Sequence, residues 1–193
     1  MDASVLAAIA RWPDVPHVYG WLSLTARGAW RLRGEPIGNA AIRDFIGRNY
    51  AGDERGRWYF QNGPQRVYVE LELAPWVYCL PAEGTLVSHT GARPRGLCAA
   101  ALLDDGGLVL QTDLGPGGVD DRDLSRLLPA LVGPGGRLLA AQAVERWLAG
   151  GGRAWLAAGR LGLKGGAVAV TRMNRAALGA AFGFEPQPAA EPS

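Results

Sequence analysis

Lysine is nearly missing from this chain of 193 residues: of its 20 basic residues only Lys164 is not arginine. With 28 glycines and abundant alanine, that skew carries the mark of a GC-rich coding bias, so the arginine count by itself says nothing of function. Cysteine is almost as scarce. Cys79 and Cys98 form no CxxC and have no second pair, which excludes a disulfide framework and suits thiols in a reducing compartment. The two histidines, His17 and His89, sit at no metal-ligand spacing from each other or from the cysteines, so no metal site is expected. Long apolar runs are missing too. The longest, Leu97 to Leu103, is about a third of the ~20 residues a membrane-spanning helix needs. Asp2 stands where a secretory signal requires positive charge, and the expected location is the cytoplasm. What remains is 48% hydrophobic and 20% charged with a net charge of +2, an ordinary globular composition that selects no enzyme class.

Periodicity predicts the elements. Val5, Leu6, Ile9 and Trp12 recur at helical spacing, and Pro13 ends the run. Residues 18–24 and 29–32 flank Thr25-Ala26-Arg27-Gly28 as a hairpin, and Asn39 caps a helix carrying Ile42, Phe45 and Ile46. A second hairpin pairs 57–61 with 66–73, where Val67, Val69, Leu71 and Leu73 alternate with Arg66, Tyr68, Glu70 and Glu72 on a solvent face. Short strands are expected at 76–80 and 85–88. Residues 97–103 and 108–112 form a third hairpin, followed by a Gly115–Gly118 bend and a helix capped by Asp120 or Asp121. Helices are expected at 137–149 and 173–182, and a strand at 166–171. Hairpin, Gly/Pro bend, helix thus occurs twice, about 80 residues apart, which suggests an internal duplication of a ββα unit. The expected fold is α+β, two related ββα units with mainly antiparallel sheets. Their domains are an aromatic-rich 1–90 and a Gly/Ala/Leu-rich 91–184, with a disordered Pro-rich tail at 185–193.

The first half also carries a resemblance. Gly20-Trp21-Leu22, Gly28-Ala29-Trp30, Gly34-Glu35-Pro36-Ile37, Gly56-Arg57-Trp58-Tyr59-Phe60 and Val69-Glu70-Leu71-Glu72-Leu73-Ala74-Pro75-Trp76 resemble a family of uncharacterised bacterial proteins. The match runs over residues 18–78, and Leu73 and Gln65 stand where that family tends to have acids. The resemblance implies a two-part α+β fold and no established activity.

Chemistry-bearing constellations are few. Ser88-His89-Thr90 is contiguous, but neighbours on a strand face opposite ways and make no dyad. Asp120, Asp121 and Asp123 would repel a phosphate from the helix after Gly115-Pro116-Gly117-Gly118. The run Gly159–Gly166 lacks the Gly-Lys-Ser/Thr ending of a phosphate loop. Glu70 and Glu72 share one strand face about 7 Å apart, a spacing that permits acid/base work. The bland alternative is a solvated face. Trp21, Trp30, Trp58 and Trp76 read mainly as structural aromatics.

Charge is polarised in the second half. Residues 99–136 hold six acids against Arg122 and Arg126, whereas 137–175 hold Arg137, Arg146, Arg153, Arg160, Lys164, Arg172 and Arg175 against Glu145. Either the two stretches pair internally, or the basic one meets RNA or another polyanion. The leading expectation is a non-enzymatic binding or protein-interaction module without a cofactor. The partner is left open between a protein, a second copy of the chain and a nucleic acid, with no membrane partner, and a small-molecule enzyme using Glu70 and Glu72 stands as the alternative.

Overall fold

The computed structural model describes residues 1–12, 15–82 and 84–190. The chain forms two compact units, Met1–Pro75 together with the C-terminal segment from Leu178, and Trp76–Ala177. In the first unit, helix α1 (Ala3–Arg11) precedes strands β1 (Val18–Leu24), β2 (Trp30–Leu32) and β3 (Glu35–Pro36). Helix α2 (Ala40–Arg48) and strands β4 (Tyr50–Gly52), β5 (Trp58–Asn62) and β6 (Gln65–Leu71) follow. Asn39 caps α2 as expected, its Oδ1 accepting the Ile42 amide at 3.3 Å. Pro13, the expected stop of α1, lies outside the described residues.

The second unit holds β7 (Trp76–Cys79), β8 (Val87–Ser88), β9 (Leu97–Leu103), β10 (Leu108–Thr112) and β11 (Gly115–Val119). A 3₁₀-helix, Asp121–Ala130, leads to β12 (Leu131–Val132), α3 (Ala141–Leu148), β13 (Trp155–Ala157) and β14 (Ala167–Met173). Helix α4 (Leu178–Phe182) returns to the first unit. No helix among the described residues is long and apolar enough to cross a membrane.

The fold is α+β, and its sheets are mixed. Strand order is β3-β2-β1-β6-β5-β4 in one and β12-β13-β14-β9-β10-β11-β7-β8 in the other. Neighbours are antiparallel except for the parallel pairs β1–β6, β9–β14 and β7–β11. The first unit, and the second after β7 and β8, therefore run three meandering strands, a helical link and three more strands, the last (β6, β14) lying parallel to the first of the six (β1, β9). The likeness reaches individual turns. Thr25 and Leu103 each donate an amide to the residue four ahead, Ala29 at 3.0 Å and Gly107 at 2.7 Å. Gly28 and Gly106 close those loops at φ +80° and +86°, a region other residues avoid. The next turns are two residues long in both units, bounded by Leu32 and Glu35 and by Thr112 and Gly115. The shared order spans six strands and their helical link, more than the expected ββα.

Several expectations shift. Gly115–Gly118 is a strand rather than a bend, because β10 and β7 hydrogen-bond it on either side. That pairing also moves the division of the chain to residue 75, since β7 belongs to the second sheet although its aromatics matched the first half's composition. The helix after Asp120 is 3₁₀ and contains Pro129, which supplies no amide for an α-helical bond. Helix α3 is shorter than 137–149, and β14 runs through Met173 before any helix begins. Residues 184–188 are not a free tail. The Glu185 amide donates to Gly56 O at 2.9 Å, the Leu71 amide donates to Pro186 O at 2.8 Å, and Phe184 is buried. A proline-rich strip needs few donors of its own when its carbonyls meet unpaired strand amides.

Candidate functional site

The register of β1 against β6 is irregular. Val18 pairs with Val67 and Leu22 with Val69, so four steps on β1 oppose two on β6, and Gly20 absorbs the excess at φ +72°. Without the bulge, Trp21 and Leu22 would face opposite sides of the sheet; with it, both line one groove. That groove has a volume of about 350 Å³ between the sheet and α2, with Leu32, Ile37, Ile42 and Phe60 among its walls. Its polar lining is two amides, Asn62 and Gln65, and Gln65 Nε2 already donates to Pro16 O at 3.2 Å. Leu22 is buried, but Trp21, Leu32 and Ile42 keep 47%, 48% and 49% of their surface in solvent. An exposed apolar lip on a concave apolar wall is the shape of a ligand site.

Arg33 stacks on Trp21 of the lip. It is the one non-glycine residue with positive φ among the described residues, at +50°, in the two-residue turn Arg33-Gly34. Its amide donates to Trp21 O at 2.7 Å, and its guanidinium lies 3.7 Å from the indole centroid. A left-handed arginine in a turn that usually takes Asn-Gly is the sequence signal that could have pointed to this pair.

Glu70 and Glu72 both lie exposed in a separate polar cleft of about 260 Å³, with Ser23, Arg31 and Gln187. Glu72 Oε2 accepts the Ala26 amide at 2.9 Å and so braces the first hairpin loop. Tyr68, expected on the same solvent face, is fully buried. Tyr19 stacks on it at 4.7 Å, Arg57 lies 4.7 Å from its ring centroid, and its hydroxyl donates to Asp53 at 3.2 Å. His17 is mostly exposed and stands edge-on to Tyr68 at 5.6 Å. Partial burial and the charges of Arg66 and Arg57 push its pKa down.

Of the aromatics, Trp30 and Trp76 are buried and Trp58 is half-buried, while Trp21 is the exception. Ser88, His89 and Thr90 form no relay. Ser88 and Thr90 bond each other at 3.0 Å, while His89 Nδ1 accepts the Val77 amide at 3.2 Å. Among the described residues no three His, Cys, Asp or Glu gather as metal ligands.

All seven basic residues of 137–175 are exposed. Arg175 pairs with Asp105 at 2.8 Å, and Arg172 donates to the Trp147 and Leu148 carbonyls at the end of α3. Arg137, Arg146, Arg153, Arg160 and Lys164 bond no carboxylate among the described residues. The acids facing them in the sequence are engaged locally. Asp120 holds Arg122 at 2.8 Å, Asp123 accepts the Leu80 amide at 2.8 Å, and Asp113 accepts the Arg95 and Gly96 amides.

Comparison with curated protein sequences finds no match. Among solved structures the chain is similar to a DUF1285 family protein from Silicibacter pomeroyi DSS-3, at 16% identity and a TM-score of 0.47 over 76% of this chain and 100% of that one. A DUF1285 family protein from Shewanella baltica OS155 is similar at 15% identity and a TM-score of 0.43 over 55% of this chain and 89% of that one. The family described as "Protein of unknown function (DUF2946)" matches residues 1–189, and the chain belongs to it.

Proposed function

We propose that the protein is a non-enzymatic binding module whose first unit receives the apolar part of a small molecule in the groove beside Trp21. The observation that carries this reading is the apolar cavity of about 350 Å³ with an exposed tryptophan on its lip, a size at the lower end of small-molecule sites. Two backbone irregularities, the Gly20 bulge and left-handed Arg33, hold Trp21 there at a conformational cost the fold does not otherwise need. The groove walls offer amides but no acid, base or nucleophile, which favours binding over turnover. The polar cleft at Glu70 and Glu72 is a weaker candidate, because it is open to water and Glu72 is engaged by a hairpin amide. The test is a calorimetric titration of an apolar and aromatic ligand panel. Trp21→Ala should weaken any groove ligand at least tenfold while leaving the melting temperature within a few degrees, since Trp21 is half exposed. Equal affinity in wild type and Trp21→Ala would refute the groove.

We also read the shared strand order of the two units as a degenerate internal duplication. A second reading, a polyanion partner on the second unit, is favoured by five exposed cations that bond no carboxylate among the described residues. It predicts heparin retention that salt abolishes and that charge reversal at Arg146, Arg153 and Arg160 removes.

A further inference from the structure

We infer that the ligand of the Trp21 groove is an amphipathic organic anion, its apolar body in the groove and a carboxylate or similar oxyanion on Arg33; this deepens the groove reading and rests on it. A guanidinium stacked on an indole spends its face and keeps its edge. The five N–H donors lie in the plane of the group, a fork that matches two anionic oxygens. Arg33 is so placed, 3.7 Å from the Trp21 centroid, exposed, and engaged by no carboxylate among the described residues. Stacking also removes part of its hydration, which strengthens a charge-assisted bond at that edge.

The surrounding charges agree. The groove lining contains no charged side chain. Arg43 on α2 donates to the Ile37 and Gly38 carbonyls at 3.1 and 2.7 Å, which fastens the loop carrying Ile37 into the groove wall and adds a second positive charge beside it. One acid opposes them. Glu35 pairs across from Leu32, so its side chain leaves the same face of the sheet and competes with the ligand for Arg33. The left-handed turn gains a reason in the same step. Asparagine would relieve the φ of +50° at position 33, but its side chain is too short to lie over Trp21. Here the strain serves recognition.

The experiment uses the full chain and two ligand series that keep the body and change the charge: octanoate, octan-1-ol and octylammonium, and indole-3-acetate with its alcohol tryptophol. Calorimetry should find at least one anion bound ten or more times tighter than its alcohol, with octylammonium the weakest of its series. Arg33→Gln and Arg33→Asn should erase the anion's advantage over its alcohol, and Arg33→Lys should restore part of it. Glu35→Gln should tighten the anion several-fold. Raised salt should weaken the anion and spare the alcohol. Equal binding of anion and alcohol, or an advantage that survives in both Arg33 variants, overturns the inference and leaves the groove standing. If neither anion nor alcohol binds in a manner that Trp21→Ala abolishes, the groove reading falls with it.

Discussion

The imidazole of His89 is kept neutral by where it lies. Burial lowers its pKa from 6.5 to about 4, and Nδ1 accepts the Val77 amide, so the ring proton sits on Nε2. The sign of the pH effect follows. An unfolded His89 takes up a proton below about pH 6.5, whereas the folded one resists until about pH 4, so stability is present above 6.5 and is lost as pH falls through that window. The loss from this one residue is on the order of 3 kcal/mol. Urea unfolding at pH 7 and pH 4.5 should show a smaller drop for His89→Gln than for wild type, although the variant starts less stable at pH 7. An identical drop would mean that His89 does not report the acid transition. The sequence placed His89 on a strand beside Ser88, whereas it lies half-buried in the turn after β8, held by the ring of Trp76, 5.7 Å away, and the Val77 amide of β7, neighbours no local pattern shows.

At the scale of elements, hairpins were easy to read and glycine strands were not. The strand β6 declares itself by period-2 alternation, and α2 by its Asn39 cap. Gly115-Pro116-Gly117-Gly118 has the composition of a turn, yet it is β11, because Trp76 and Tyr78 of the adjacent strand need the room its glycines leave. A Cβ on Gly117 would lie 2.3 Å from Tyr78 Cε2 and 2.8 Å from Trp76 Cβ. The Tyr78 ring has nowhere to retreat, since its hydroxyl is tied to Thr112 Oγ1 at 2.7 Å and donates to Gly115 O at 2.9 Å. Gly117→Ala should therefore cost about 1–3 kcal/mol, read as a lower urea midpoint at unchanged slope. Gly135→Gln, on an open turn at φ +77°, should act only through its backbone strain and cost less.

At the scale of the whole molecule, β1 with β6 and β9 with β14 lie inside their sheets, and that determines where the chain opens. β1 with β6 and β9 with β14 have neighbours on both sides, while β3, β4, β8 and β12 are edges of two or three residues. Native-state hydrogen exchange should be slowest at Val69 and Leu71 and at Ala100 and Ala101, and fastest along those edges. Slow exchange at β3 or β12 would contradict the strand order. The sequence by itself determined the class of fold, the hairpins and the helix cap at Asn39, because these rest on local periodicity and turn chemistry. It also placed the near-neutral total charge on opposed stretches of the second half. Only the tertiary structure decided that Asp113, Asp120 and Asp123 are engaged locally and Asp105 by Arg175, leaving five basic side chains with no carboxylate partner among the described residues. It also decided that a bulge at Gly20 accompanies Trp21 on an open groove, with Arg33 stacked on its indole. Bulges, strand partners and the ends of ion pairs join residues far apart in the chain, and no local pattern encodes which distant neighbour will be there.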